Sequence, residues 1–184
     1  EKALGAYRAA YDLDPTSHKA LSRLAQLLFD SKEFEEAGKL FQALLVHRRD
    51  SMETGEIVNV FFNLSTIKEE LGEHAKALNM IEKALDVDPA NAKVLERAID
   101  IYQAKEDFEA VLRCKNNLLD AVGDDDTKLK LHEEVGDLLA RKLKRPADAI
   151  KSYGKALEIQ GDLRRVLYKK MEAHVGLKQW DEGL

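Results

Sequence analysis

Residues 58–89 read VNVFFNLSTIKEELGEHAKALNMIEKALDVDP, and this stretch decides the fold. Its apolar residues fall three and four apart, the period of a helix rather than the alternation of a strand. The Gly72-Glu73 step breaks that pattern once. Asp88-Pro89 closes it, because proline disfavours a helical residue before it. Two helices joined by a short polar turn follow from the pattern. In the second helix Ala77, Ile81 and Ala84 set an alanine, a large apolar residue four positions on, and a small residue three further.

That spacing recurs at Ala3/Tyr7/Ala10, Ala37/Phe41/Leu44 and Ala149/Tyr153/Ala156, with a decayed copy at Val111/Lys115/Leu118. From Ala3 to Ala37, Ala77, Val111 and Ala149 the steps are 34, 40, 34 and 38 residues. A period of this length marks a stacked repeat, since one helix pair cannot bury its apolar face alone. Leu21, Leu24, Leu27 and Leu28, and likewise Val135, Leu138, Leu139 and Leu143, carry the helical period into the neighbouring repeats. Asp14-Pro15 ends a helix as Asp88-Pro89 does, and Ser17 and Asn91 stand where N-caps belong. The polar steps Ser31-Lys32-Glu33 and Lys105-Glu106-Asp107 read as turns within pairs. The spacing predicts helices over about 1–13, 17–30, 34–48, 53–71, 74–87, 91–104, 108–122, 127–143, 147–159, 163–176 and 180–184. No strand is expected, and the fold class is all-α.

These positions resemble the tetratricopeptide repeat (TPR), a helix–turn–helix unit of about 34 residues. Leu21, Leu24, Ala25 and Leu28 fill its first-helix positions in one repeat, with Ala37 and Phe41 in the second helix. In the next, Phe61 and Leu64 are followed by Ala77, Ile81, Ala84 and the closing Pro89. The resemblance implies a right-handed superhelical solenoid of stacked antiparallel helix pairs over 1–184. It divides into a partial repeat at 1–15, repeats at 18–51, 52–91, 92–125 and 126–163, and a second partial one at 164–184. The irregular repeats look like those of the large multi-repeat TPR proteins of bacteria, and the chain reads as an excerpt of a longer protein. Three departures carry expectations. Six extra residues near Met52–Ile57 should lengthen a first helix. About four more fall around Asp124–Thr127 and in the turn at 142–146. Lys115 stands at a normally apolar position, so the helix at 108–122 is expected to be tilted or peripheral.

The bulk numbers narrow the function. Hydrophobic residues make up 45% of 184 and charged residues 34%, enough for a buried core and a well-solvated surface. The net charge of -5 argues against a duplex nucleic-acid binder, which needs a dominant basic face. No apolar run approaches the ~18 residues of a membrane span, so no membrane insertion is expected. The single cysteine, Cys114, rules out an internal disulfide and fits a reducing, cytoplasmic compartment.

No catalytic constellation, cofactor motif or metal site stands out, and the chain is read as not an enzyme. Cys114 lies on the apolar side of its helix and reads as packing. His132-Glu133-Glu134 lacks the second histidine of a zinc-binding helix. Asp124-Asp125-Asp126 suits the positive end of the following helix and lacks the spaced ligands of a calcium loop. Gly5, Gly136 and Gly154 sit inside helices, where they suggest close helix packing. Trp180 shares a repeat position with Phe34 and Phe108 and reads as core.

In TPR arrays the first helices line an inner, concave face. The second residue of each first helix is Lys19, Asn59, Lys93, Lys130 or Arg165. Four positions on come Arg23, Asn63, Arg97, Glu134 and Lys169, and three further Gln26, Thr66, Asp100, Asp137 and Glu172. Residues three and four apart share a helical face, so one lip is basic and the floor turns acidic toward the C-terminal half. The alternative is a set of ordinary solvated charges, which arise easily at this composition. Asn63, Lys93 and Arg97 match the last three positions of the carboxylate clamp of chaperone-binding TPR domains. Ser22 and Gln26 occupy its first two positions and do not match. Lysine and arginine beside an amide can nonetheless hold a carboxylate. The candidate peptide-binding residues are Lys19, Arg23, Gln26, Asn63, Lys93, Arg97 and Lys130, with Phe62 and Tyr168 for an apolar side chain.

The leading expectation is a protein–protein interaction scaffold for a peptide of acidic character. Two others stay open: a rigid spacer in a longer array, whose ends could self-associate, and a regulatory appendage of an enzyme outside this segment.

Overall fold

The computed structural model describes residues 2–177. Among them every regular element is helical. Ten α-helices run α1 Lys2–Leu13, α2 His18–Asp30, α3 Phe34–His47, α4 Thr54–Glu70, α5 His74–Val87, α6 Ala92–Ala104, α7 Phe108–Ala121, α8 Asp125–Asp137, α9 Pro146–Ile159 and α10 Arg164–Gly176. They form two compact units that divide at Pro89 and Ala90.

In the first unit α2 pairs with α3 and α4 with α5, while α1 packs on α2 and α3 on α4. Its core is Leu21, Leu24, Leu28, Phe41, Leu44, Leu64 and Ile67. Ala37 and Gly38 let α3 lie close to α4, with Ile67 Cγ2 only 3.6 Å from where a Cβ on Gly38 would stand. Phe29 meets Phe34 and Phe41 edge to face, at 5.9 and 6.3 Å between ring centres.

In the second unit α6 pairs with α7 and α8 with α9, α7 packs on α8, and α10 packs on α9. Val94, Leu95, Ala98, Val111, Leu131, Val135, Ala149, Tyr153, Ala156 and Val166 are buried there.

The caps explain why the helices start and stop where they do. Ser17 Oγ and Asn91 Oδ1 accept from the backbone N–H groups of Ala20 and Val94. Asp107 and Asp124 do the same for Ala110 and Thr127. Three pairs close on one turn. Lys32, Gly72 and Glu106 all adopt left-handed φ, at 63°, 74° and 56°. The residue after each donates back five positions, from Glu33 to Leu28, Glu73 to Lys68 and Asp107 to Tyr102. This is the double-bonded helix stop that favours glycine, and only one of the three positions carries it.

The departures from the repeat resolve differently from one another. The insertion near 52–57 forms a 3-10 turn at Arg49–Ser51 and then a lengthened α4 of 17 residues. Met52 folds back against the core of the first unit. The C-terminal end of α8 widens into a π-helical turn over Leu138–Lys142, where Leu143 N donates to Leu138 O at 3.0 Å. Helix α7 is not peripheral, contrary to the expectation from Lys115. Ala110, Val111, Leu112, Cys114 and Leu118 are all buried on it. The Lys115 stem lies among them and its ammonium reaches Glu134, as long basic side chains do when only the tip needs water. Of the three glycines expected to allow close helix packing, Gly136 is a close packing point, while Gly5 has open space beside it and Gly154 meets only Lys170 Nζ at 3.9 Å. Trp180 lies outside the described residues.

Candidate functional site: the faces of the first helices

In the first unit Lys19, Arg23 and Gln26 lie on α2, and Phe62 and Asn63 on α4. Lys19 and Arg23 are exposed, while Gln26, Phe62 and Asn63 are half-buried. Two bonds bring α2 and α4 together on this side. Asn63 Nδ2 donates to Gln26 Oε1 at 3.1 Å, and His18 Nε2 pairs with Glu56 at 2.8 Å. Gln26 also donates to Asp30 at 2.8 Å. The two amides proposed for ligand binding therefore bond to each other, and a ligand would exchange one amide bond for another.

In the second unit Lys93 and Arg97 stand one turn apart on α6, Lys130 on α8 and Tyr168 on α10. Lys93 and Lys130 are exposed, Arg97 is half-buried, and Tyr168 is 58% exposed. Beside them runs a network that the motif reading missed. The Arg165 guanidinium donates to both oxygens of Glu133, with Nε at 2.8 and 2.9 Å and Nη2 at 2.6 Å. Lys169 Nζ bridges Glu133 at 2.7 Å and Asp137 at 2.6 Å. Tyr153 OH donates to the other Asp137 oxygen at 2.8 Å. Glu133 is buried, and hydrogen bonds from Arg165 hold its carboxyl below the usual carboxylate range, with Lys169 adding to the effect. Burial and the Asp137 bond push the Tyr153 hydroxyl well above its ordinary value. The sequence did hold a signal for this network. Glu133 and Asp137 on one helix, and Arg165 and Lys169 on another, are complementary charges at matching i,i+4 spacing.

The cations of the first helices thus differ in what holds them. Arg165 and Lys169 are neutralised within the unit. Lys19, Arg23 and Lys130 make no ion pair among the described residues.

Cys114 is buried, and burial pushes its thiol up, away from the reactive thiolate. Burial holds His132 down, so its imidazole is neutral near pH 7. Among the described residues no group of His, Cys, Asp or Glu is arranged to hold a metal ion, and no helix is long and apolar enough to cross a membrane.

Residues 16–90 match the family model described as tetratricopeptide repeat. Over those residues the chain carries tetratricopeptide repeats. Solved structures share its fold at low identity. YrrB, described as a TPR protein with an unusual peptide-binding site, is 14% identical, with 97% of this chain and 87% of that one covered and a TM-score of 0.61. MamA is 15% identical, with 89% and 86% covered and a TM-score of 0.57. BtubC from P. vanneervenii is 15% identical, with 99% and 83% covered and a TM-score of 0.54. No curated protein sequence matches the chain.

Proposed function

We propose that this TPR protein is a non-enzymatic protein–protein interaction scaffold, and that its first helices hold a peptide segment of acidic character. The observation that carries the proposal is the unspent positive charge of Lys19, Arg23 and Lys130 in a chain of net charge -5. Cations that form no internal ion pair suit charge-assisted bonds to a carboxylate. Phe62 on α4 and Tyr168 on α10 add apolar surface within their own units, and the Gln26 and Asn63 amides add donors and acceptors in the first.

The experiment is a pull-down from lysate of the source organism, run beside a variant that combines Lys19→Glu and Arg23→Glu with Lys93→Glu and Arg97→Glu and whose fold is checked by circular dichroism. A partner captured by the parent and lost by the variant supports the proposal. Partners retained equally by both contradict it.

One observation favours a second reading, a rigid spacer that stacks on neighbouring repeats. Helix α10 exposes Leu167, Tyr168 and Val175. Exposed apolar side chains on one helix suit stacking on a neighbour. Sedimentation that is independent of concentration would count against it.

A further inference from the structure

The second unit contains a buried cation that the first-helix proposal does not use. Lys115 stands on α7 where the other repeats carry Tyr7, Phe41, Ile81 and Tyr153. It is 7% exposed, and it lines an open cavity of about 490 Å³ between α6 and α8. Ile99 and Leu138 form apolar wall, and Arg141 and Lys142 of the π-helical turn stand at the same cavity. Among the described residues the ion-pair partner of Lys115 is Glu134.

The two halves of this pair are unequal. The Lys115 side chain is only 9% exposed, and its stem is held by the packing around α7. The Glu134 side chain is 55% exposed and can rotate fully into water. The acids around the cavity are unequal too. Asp137 is held by Lys169 and Tyr153, and Asp100 is exposed on α6. Glu134 is therefore the exchangeable one.

We propose that Lys115 is a carboxylate-accepting subsite of this groove and that Glu134 is its placeholder, displaced by an acidic side chain of a bound peptide. The inference rests on the reading of the first helices as a peptide-binding face, and it adds the residue that accepts the ligand's charge. One carboxylate replaces another on the ammonium and Glu134 becomes hydrated, with no covalent change. Arg141 and Lys142 favour a segment with a second acid close by, and Ile99 and Leu138 cover its methylene groups.

The test is the titration of the whole chain with acetyl-hexaglutamate amide, followed by NMR of labelled lysine side chains. The peptide should shift the Lys115 signals. Glu134→Gln removes the competitor while the buried ammonium still needs a counter-charge, so binding should tighten by about tenfold or more. Glu158→Gln removes the same charge from an exposed position on α9 and should stay within about twofold of the parent. Lys115→Met keeps the bulk of the stem, assigns the Lys115 signal by its loss, and should abolish the gain when combined with Glu134→Gln.

Equal affinities for Glu134→Gln and Glu158→Gln, binding with no shift at Lys115, or no binding to Glu134→Gln would each overturn the inference. Binding lost in Lys93→Glu/Arg97→Glu but indifferent to Glu134→Gln would leave the first-helix reading standing and remove the subsite. A Lys115 shift that persists in Lys93→Glu/Arg97→Glu would support the subsite and weaken the broader reading.

Discussion

Gly136 shows how a single side chain can fix the approach of two helices. A Cβ at this position would stand 2.4 Å from Tyr153 Cε1, and Tyr153 is itself pinned by its bond to Asp137. Alanine is the better helix former by about 1 kcal/mol, so propensity alone predicts a gain. The steric conflict should win, with Gly136→Ala losing about 2 kcal/mol in denaturant unfolding. Gly55→Ala, where nothing lies within 4 Å, should be neutral or slightly stabilising in the same measurement. At the helix stops the sign reverses. Lys32→Gly and Glu106→Gly should each stabilise by about 0.5–1 kcal/mol, because their left-handed φ costs a side-chain-bearing residue what glycine does not incur. The need for glycine at residue 136 was visible in the sequence as an isolated helical glycine. Its reason was not, because a sequence does not say which ring faces it. Gly5 and Gly154 look the same in the sequence and meet no such neighbour.

At the scale of elements the periodicity carried most of the information. The ends of α2, α3, α5, α6 and α7 fall within one residue of those the spacing predicts, because each coincides with a cap, a proline or a three-residue turn that is local in sequence. The start of α8 and the widened turn after it were missed. Asp124, rather than a residue nearer Thr127, caps α8, and three consecutive aspartates do not tell which one does so. A π-helical turn has no simple pattern, since it depends on how α8 must meet α9. Lys115 misled for a related reason. Polarity at an apolar position says nothing of where a long stem can hide.

Two predictions belong to this scale. Ala77 is 2% exposed between α4 and its neighbours, so Ala77→Asp buries an unpaired carboxylate. It should cost about 3 kcal/mol or more and strip hydrogen-exchange protection first from α4 and α5. Glu133 joins α8 to α10, and its folded-state carboxyl titrates below the ordinary glutamate value. Its stabilising contribution is thus fully present above about pH 4.3 and is lost as pH falls through the depressed folded value. Glu133→Gln should cost about 2 kcal/mol at pH 7 and flatten the stability loss below pH 4.3, read by urea titrations at several pH values.

Across the whole molecule the distribution of charge matters more than its sum. The chain is acidic overall, yet Arg165, Lys169 and Lys115 are consumed by Glu133, Asp137 and Glu134, while Lys19, Arg23 and Lys130 are not. The composition gives the sum, but it could not say which cations were already paired. That division appears only when α8 and α10 are placed side by side. An acidic partner held by exposed cations should lose affinity as salt rises, since exposed charges are screened within ~10 Å at 0.1 M.

The most direct measurement of the central claim is site-specific photo-crosslinking of a captured partner. A benzophenone side chain would be placed at Asn59 or Tyr168 on first helices, and at Lys39 or Lys151 on second helices. The account predicts crosslinks to the partner from Asn59 and Tyr168 and none from Lys39 and Lys151. Crosslinks confined to Lys39 and Lys151 would contradict it, placing the interaction on the second helices and leaving the basic first-helix residues as ordinary solvated charges.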